Sequence, residues 1–168
     1  MYKRQAQEAI VQAQALASEY SHGQIEGEHL LLALLRQSDG VVPQVIQALG
    51  LQPGILAQDL ERELERRPKV YGGTAQVGLS RNLQQVFNRA ERVAREMRDD
   101  YVSTEHLLLA LAEDTAGSVA QFLKGHGVER DAALRALASI RGSQRVASQN
   151  PETTYQALER YGRDLTVL

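Results

Sequence analysis

Seven consecutive residues of this chain, Glu28-His29-Leu30-Leu31-Leu32-Ala33-Leu34, return letter for letter as Glu105-His106-Leu107-Leu108-Leu109-Ala110-Leu111, 77 positions later. The same offset accounts for residues outside the match. Upstream, Ala6, Ala9, Ile10, Ala13, Leu16, Ala17 and Tyr20 map onto Leu83, Val86, Phe87, Ala90, Val93, Ala94 and Met97. Downstream, Gly40, Val42, Val45, Ile46, Gly50 and Leu60 map onto Gly117, Val119, Phe122, Leu123, Gly127 and Leu137. A chance identity would not predict its flanks, so the chain holds two copies of one unit.

Within each copy the apolar residues recur every three or four positions, which lines one face of an α-helix and rules against strands. Four helices per copy follow. The first spans about 3–20, and its counterpart about 80–98 with Ser80 as N-cap. Short polar elbows come next, Ser21-His22-Gly23-Gln24 and Asp99-Asp100-Tyr101. The second helix starts near Glu26 or Ser103 and carries the Glu-His-Leu-Leu-Leu run. Ser103 is followed three residues on by His106 rather than Glu or Gln, so no capping box is expected there. The third helix begins after Gly40 or Gly117 and stops at Gly50 or Gly127, where glycine can adopt the left-handed conformation that ends helices. The fourth opens at Pro53 or Glu129. The expected fold is therefore all-α, two pseudo-symmetric four-helix repeats packed into one domain.

The boundaries follow from where the period fails. Residues 1–66 form the first repeat and 80–142 the second; the glycine-rich stretch 67–79 links them. After Gly142 the period fades into a linker, and Asn150-Pro151-Glu152 reads as the start of a short helix within the tail 143–168.

Composition narrows the chemistry. The chain's 19 basic and 21 acidic residues nearly cancel and are scattered, which leaves no footprint for nucleic acid or an anionic membrane. No run approaches the roughly 20 apolar residues of a membrane span. There is no cysteine, which excludes disulfides and thiolate chemistry and suits a cytoplasmic setting. Gly73-Thr74-Ala75-Gln76-Val77-Gly78-Leu79-Ser80 has the glycine spacing of a phosphate-binding loop, but Leu79 stands where the lysine is needed. It reads as a linker and a helix cap. The four histidines form no i, i+4 metal pair, and no serine or paired carboxylate recurs beside both His29 and His106. Those two are expected to hydrogen-bond locally at helix starts. No catalytic, metal or cofactor residue is assigned. Glu28 and Glu105 sit near helix N-termini, where the helix dipole favours a carboxylate; a binding role stands beside that structural one. The Leu runs are expected to be core, and the seam between two helical halves is a place where peptide grooves form.

These residues resemble the amino-terminal domains of the Clp family of AAA+ unfoldases, twin helical repeats with a Glu-His-hydrophobic run in each copy. Arg67-Pro68-Lys69-Val70-Tyr71-Gly72 is similar to the inter-repeat segment of the ClpB branch. The stretch from Tyr155 to Thr166 is similar to that branch's entry into its first ATPase module. The resemblance implies a non-enzymatic, client-capturing domain on a homohexameric ring, with ATP and Mg bound in modules beyond this chain. Its partners would be unfolded or aggregated polypeptides, with a co-chaperone or adaptor. It maps the binding surface onto Val93, Asp99, Glu105 and His106, with Glu28 as the first-repeat counterpart of Glu105. A second branch, ClpC, implies docking of adaptors or of phosphoarginine-marked substrates through Glu28 and Glu105. One residue departs from the family: Lys3 stands where Thr or Ser usually opens the first helix, which removes an N-cap and the hydroxyl that family members can offer to substrate.

Overall fold

A computed structural model describes residues 1–70 and 77–142. The glycine-rich stretch 71–76, and the linker and helix expected within 143–168, lie outside them. Eight helices appear at the places the periodicity marks: α1 Arg4–Glu19, α2 Gly27–Leu35, α3 Val41–Ala48 and α4 Pro53–Glu65, then α5 Arg81–Glu96, α6 Thr104–Leu111, α7 Ser118–Gly125 and α8 Arg130–Arg141. A 3-10 turn, Asp114–Ala116, precedes α7. Gly50 and Gly127 hold φ of +80° and +87° just past the ends of α3 and α7, the left-handed geometry that glycine permits at a helix end. Ser21 and Arg98, equivalent positions in the two elbows, also take positive φ.

The Leu runs lie at the centre. Every residue of α2 and of α6 is buried, and these two helices pack on each other while α3 lies against α8. Helix packing thus fills the seam between the repeats. The approach is close enough that a Cβ on Gly27 would stand 2.9 Å from Val119 Cγ1 of α7.

The helical expectation omits one feature. Gln24–Ile25 (β1) pairs in parallel with Gly78–Leu79 (β2), and Tyr2 makes an isolated parallel bridge to Val102. At the 77-residue offset Tyr2 corresponds to Leu79, and Ile25 to Val102. Each repeat therefore lays the residues leading into its first helix on the elbow of the other. The Ser80 N–H donates to Ile25 O at 3.1 Å, and the Lys3 N–H to Val102 O at 2.8 Å. Two-residue strands carry no period-2 signal, which is why the pattern of the sequence does not announce them.

The helix starts differ as their first residues do. Ser80 Oγ accepts the Leu83 N–H at 3.0 Å, whereas Lys3 caps nothing with its side chain. Instead the Lys3 side chain is fully buried and its ammonium lies 4.6 Å from the centre of the Tyr101 ring, a cation–π geometry.

The expectation that Ser103 opens no capping box is overturned. His106 Nδ1 accepts the Ser103 N–H at 2.9 Å, and His29 Nδ1 accepts the Glu26 N–H at 2.8 Å, completing a reciprocal box in each repeat. The rule names Glu or Gln because it needs an acceptor that reaches back three residues. The lone pair of a neutral imidazole meets that need as well.

Candidate functional site: the two elbows

Each imidazole that caps its own helix start has its other nitrogen free to look outward from that helix. In the second repeat, Nδ1 of His106 is an acceptor, so its proton sits on Nε2. Nε2 donates to Asp99 Oδ2 at 2.6 Å, and Arg141, the last residue of α8, donates from Nη2 to Asp99 Oδ1 at 2.6 Å. The Asp99 and His106 side chains are fully enclosed and that of Arg141 is 4% exposed. The result is a buried triad of imidazole, carboxylate and guanidinium.

The first repeat replaces it. His22 stands at the place of Asp99, and the His29 Nε2–H donates to His22 Nδ1 at 2.8 Å. Tyr20 stacks on the His22 ring at 5.6 Å. Burial, followed by the neighbouring His22 and the charge of Arg67, pushes His29 down to about 4. Burial and then Lys69 also lower His22. Both rings are therefore held neutral, since charging either would place a cation in a low-dielectric space with no carboxylate bonded to it.

Glu28, one residue before His29, is 4% exposed and takes two donors: the Arg67 guanidinium at 2.7 Å and Ser118 Oγ at 2.5 Å. Burial raises its pKa, but the hydrogen bonds from Arg67 and Ser118 outweigh that and leave it below its ordinary value. Glu28 thus ties the linker to α7 of the second repeat.

The five residues marked in the sequence are all interior. Asp99 and His106 touch each other; Glu105 and Val93 are each 1% exposed, and Glu28 belongs to the first elbow. Sequence reasoning passed over His22, Arg67, Ser118 and Arg141. A signal existed for two of them: at the 77-residue offset, His22 faces Asp99 and Leu64 faces Arg141, two unlike exchanges inside an otherwise matching pattern.

Elsewhere the described surface carries charged groups that pair with one another, with Val11 and Ile55 as exposed apolar side chains. A cleft of about 610 Å³ beside α5 and the start of α8 is lined by Glu113 and Arg92, among others. Glu113 meets Arg92 at 2.8 Å and Arg130 at 3.4 Å. Among the described residues no three His, Asp or Glu side chains converge as a metal would need, and no helix is long and apolar enough to cross a membrane.

Twin helical repeats with a Glu-His pair buried at each elbow define a class, and comparison with known proteins names it. The chain belongs to the Clp repeat (R) N-terminal domain family, whose profile matches residues 1–126. Among its relatives are the chaperone protein ClpB of Nitratidesulfovibrio vulgaris, 40% identical over 98% of this chain, and that of Bacillus cereus, 43% identical over 95%. The chain spans 19% of the length of either relative. The Hsp104 N-terminal domain of Candida albicans superposes with a TM-score of 0.80 at 24% identity, covering 90% of this chain and 98% of that one. A ClpV N-domain solved in complex with a VipB peptide superposes at 0.67 and 18%, covering 85% and 88%; both show the shared fold.

Proposed function

We propose that this chain is the client-engaging amino-terminal domain of a ClpB-type disaggregase, capturing exposed segments of unfolded or aggregated polypeptides. The ATPase modules and the hexameric ring that act on such clients would belong to the remainder of a longer cytoplasmic protein. The observation that carries the reading is the likeness to ClpB chaperones across nearly the whole chain. The ClpV domain solved with a peptide supports it, since it shows that this fold can hold one.

The elbow chemistry refines the reading. Val93, Asp99, Glu105, His106 and Glu28 face inward, so their role is to hold the elbows in shape. Client contact falls to exposed apolar side chains at the rims: Val70 and Leu79 beside the first elbow and Met1 beside the second. A few exposed apolar groups on a shallow surface give weak, unselective binding, and several copies on a ring would multiply it through avidity. Titrating the labelled domain with a permanently unfolded protein should shift the methyl signals of Met1, Val70 and Leu79. Unchanged spectra at millimolar client would reject the proposal.

One observation favours the ClpC-type alternative. Glu28 already holds a guanidinium, that of Arg67, in a geometry a phosphoarginine side chain could share. Saturable binding of phosphoarginine, lost on Glu28→Ala, would select that reading.

A further inference from the structure

We infer that the first elbow is an acid-labile latch: protonation of the buried His22–His29 pair releases residues 67–70 from the elbow while the second elbow stays shut. The inference does not depend on what the domain binds.

The hydrogen-bond chain carries it. His29 has committed Nδ1 to the Glu26 N–H and its Nε2 proton to His22 Nδ1. Neither ring can take a further proton at these nitrogens without breaking one of those bonds. What surrounds the pair offsets an added charge only in part, through the Leu64 carbonyl beside His22 and through carboxylates engaged elsewhere. From the end of α1 comes the neutral Tyr20; from α2, Glu28, already bound to Arg67 and Ser118; from α4, Glu65, which is 66% exposed and 3.7 Å from Lys69; and from the segment after α4, the cations Arg67 and Lys69. An imidazolium here would meet another imidazole and two positive charges.

The contacts that hold 67–70 to the elbow are few and local. Val70 N–H donates to Ser21 O, Lys69 Nζ to Tyr20 O at 3.1 Å, and Arg67 to Glu28. Two of the three bring a cation close to the histidines, so the charge that protonates the pair also repels the strap that covers it. At the second elbow the His106 Nε2–H meets the Asp99 carboxylate, which Arg141 also holds, so that imidazole has beside it the counter-charge the first elbow lacks.

The sign follows from linkage. His29 is held near 4 in the folded state and returns toward roughly 6.5 when released. The closed latch is at full strength above about 6.5 and weakens as pH falls toward the folded value.

Hydrogen exchange of the whole 168-residue chain tests this. With His29 near 4 when closed, the protection factor of the Val70 amide should fall roughly twentyfold between pH 7 and pH 5. That of the Lys3 amide, which anchors the second elbow through Val102 O, should hold. His22→Asp combined with Leu64→Arg copies the second repeat and should leave Val70 protection independent of pH over this range. The inference is overturned if Val70 keeps its protection, if Val70 and Lys3 lose theirs together, or if the variant responds as the wild type does. Should the variant not fold, the comparison of Val70 with Lys3 in the wild type still decides.

Discussion

At the second elbow a buried carboxylate stands between an imidazole and a guanidinium. At the first, a second imidazole takes the place of the carboxylate and a leucine that of the arginine. The capping histidine is the same in both, and so is the backbone, down to the positive φ at Ser21 and Arg98. What differs is how the outward imidazole N–H is satisfied. One solution is neutral throughout; the other brings in a negative charge and then a positive one to balance it. The mixed states leave a buried ion without its counter-ion, and that is the costly case. Two unlike exchanges, His22 against Asp99 and Leu64 against Arg141, are therefore one change seen twice.

The largest expected effect breaks that coupling. Arg141→Leu takes the guanidinium from the buried Asp99 carboxylate, and should cost roughly 3–5 kcal/mol in urea denaturation. Adding Asp99→His, which completes the first-repeat arrangement, should recover a substantial part of the loss and so give a strongly non-additive double-mutant cycle. A single-variant cost indistinguishable from zero would show that the guanidinium does not balance the carboxylate.

A smaller effect concerns how the repeats approach each other. Thr104 occupies the place of Gly27, yet a Cβ at Gly27 would lie 2.9 Å from Val119 Cγ1 and 3.2 Å from Leu111 Cδ2. Gly27→Thr should therefore cost about 1–3 kcal/mol through overpacking, measured in the same way. A neutral result would mean that the pseudo-symmetry extends to a position where the packing says it stops.

The smallest effect has the opposite pH sign to the latch. His126 donates from Nδ1 to Phe122 O and from Nε2 to Asp59 Oδ2 at 2.9 Å, so both partners want protons. Burial lowers its pKa, but the Asp59 and Phe122 hydrogen bonds prevail and raise it. This α4–α7 tie should add stability that is complete below about 6.5 and fades as pH rises through the raised value. Asp59→Asn should remove that slope from the melting temperature between pH 6 and pH 8; an unchanged slope would contradict the assignment.

Much of the fold was legible because its signals are local. Helical period, Ser80 as a cap, and Gly50 and Gly127 as stops each depend on residues within a turn or two, and the offset doubles every reading. The capping role of the histidines was half legible: local hydrogen bonding at helix starts was expected, but the box rule names carboxylates and amides. The elbows were located and their members mostly named. Their inward orientation was hidden, because α2 and α6 are buried on all sides and a helix enclosed in this way turns even its glutamate and histidine inward.

By itself the amino-acid sequence determined how many units there are, where their helices begin and end, and which positions correspond, since all of this is written in short-range period and repetition. Only the tertiary structure decided which charges meet. Arg141 finds Asp99 across 42 positions, Ser118 finds Glu28 across 90, and each repeat sends its first residues to the other's elbow. The physical reason is that a buried ion or backbone group must be satisfied by whatever the packing brings within about 3 Å. Packing is a property of the assembled helices, which no local pattern contains.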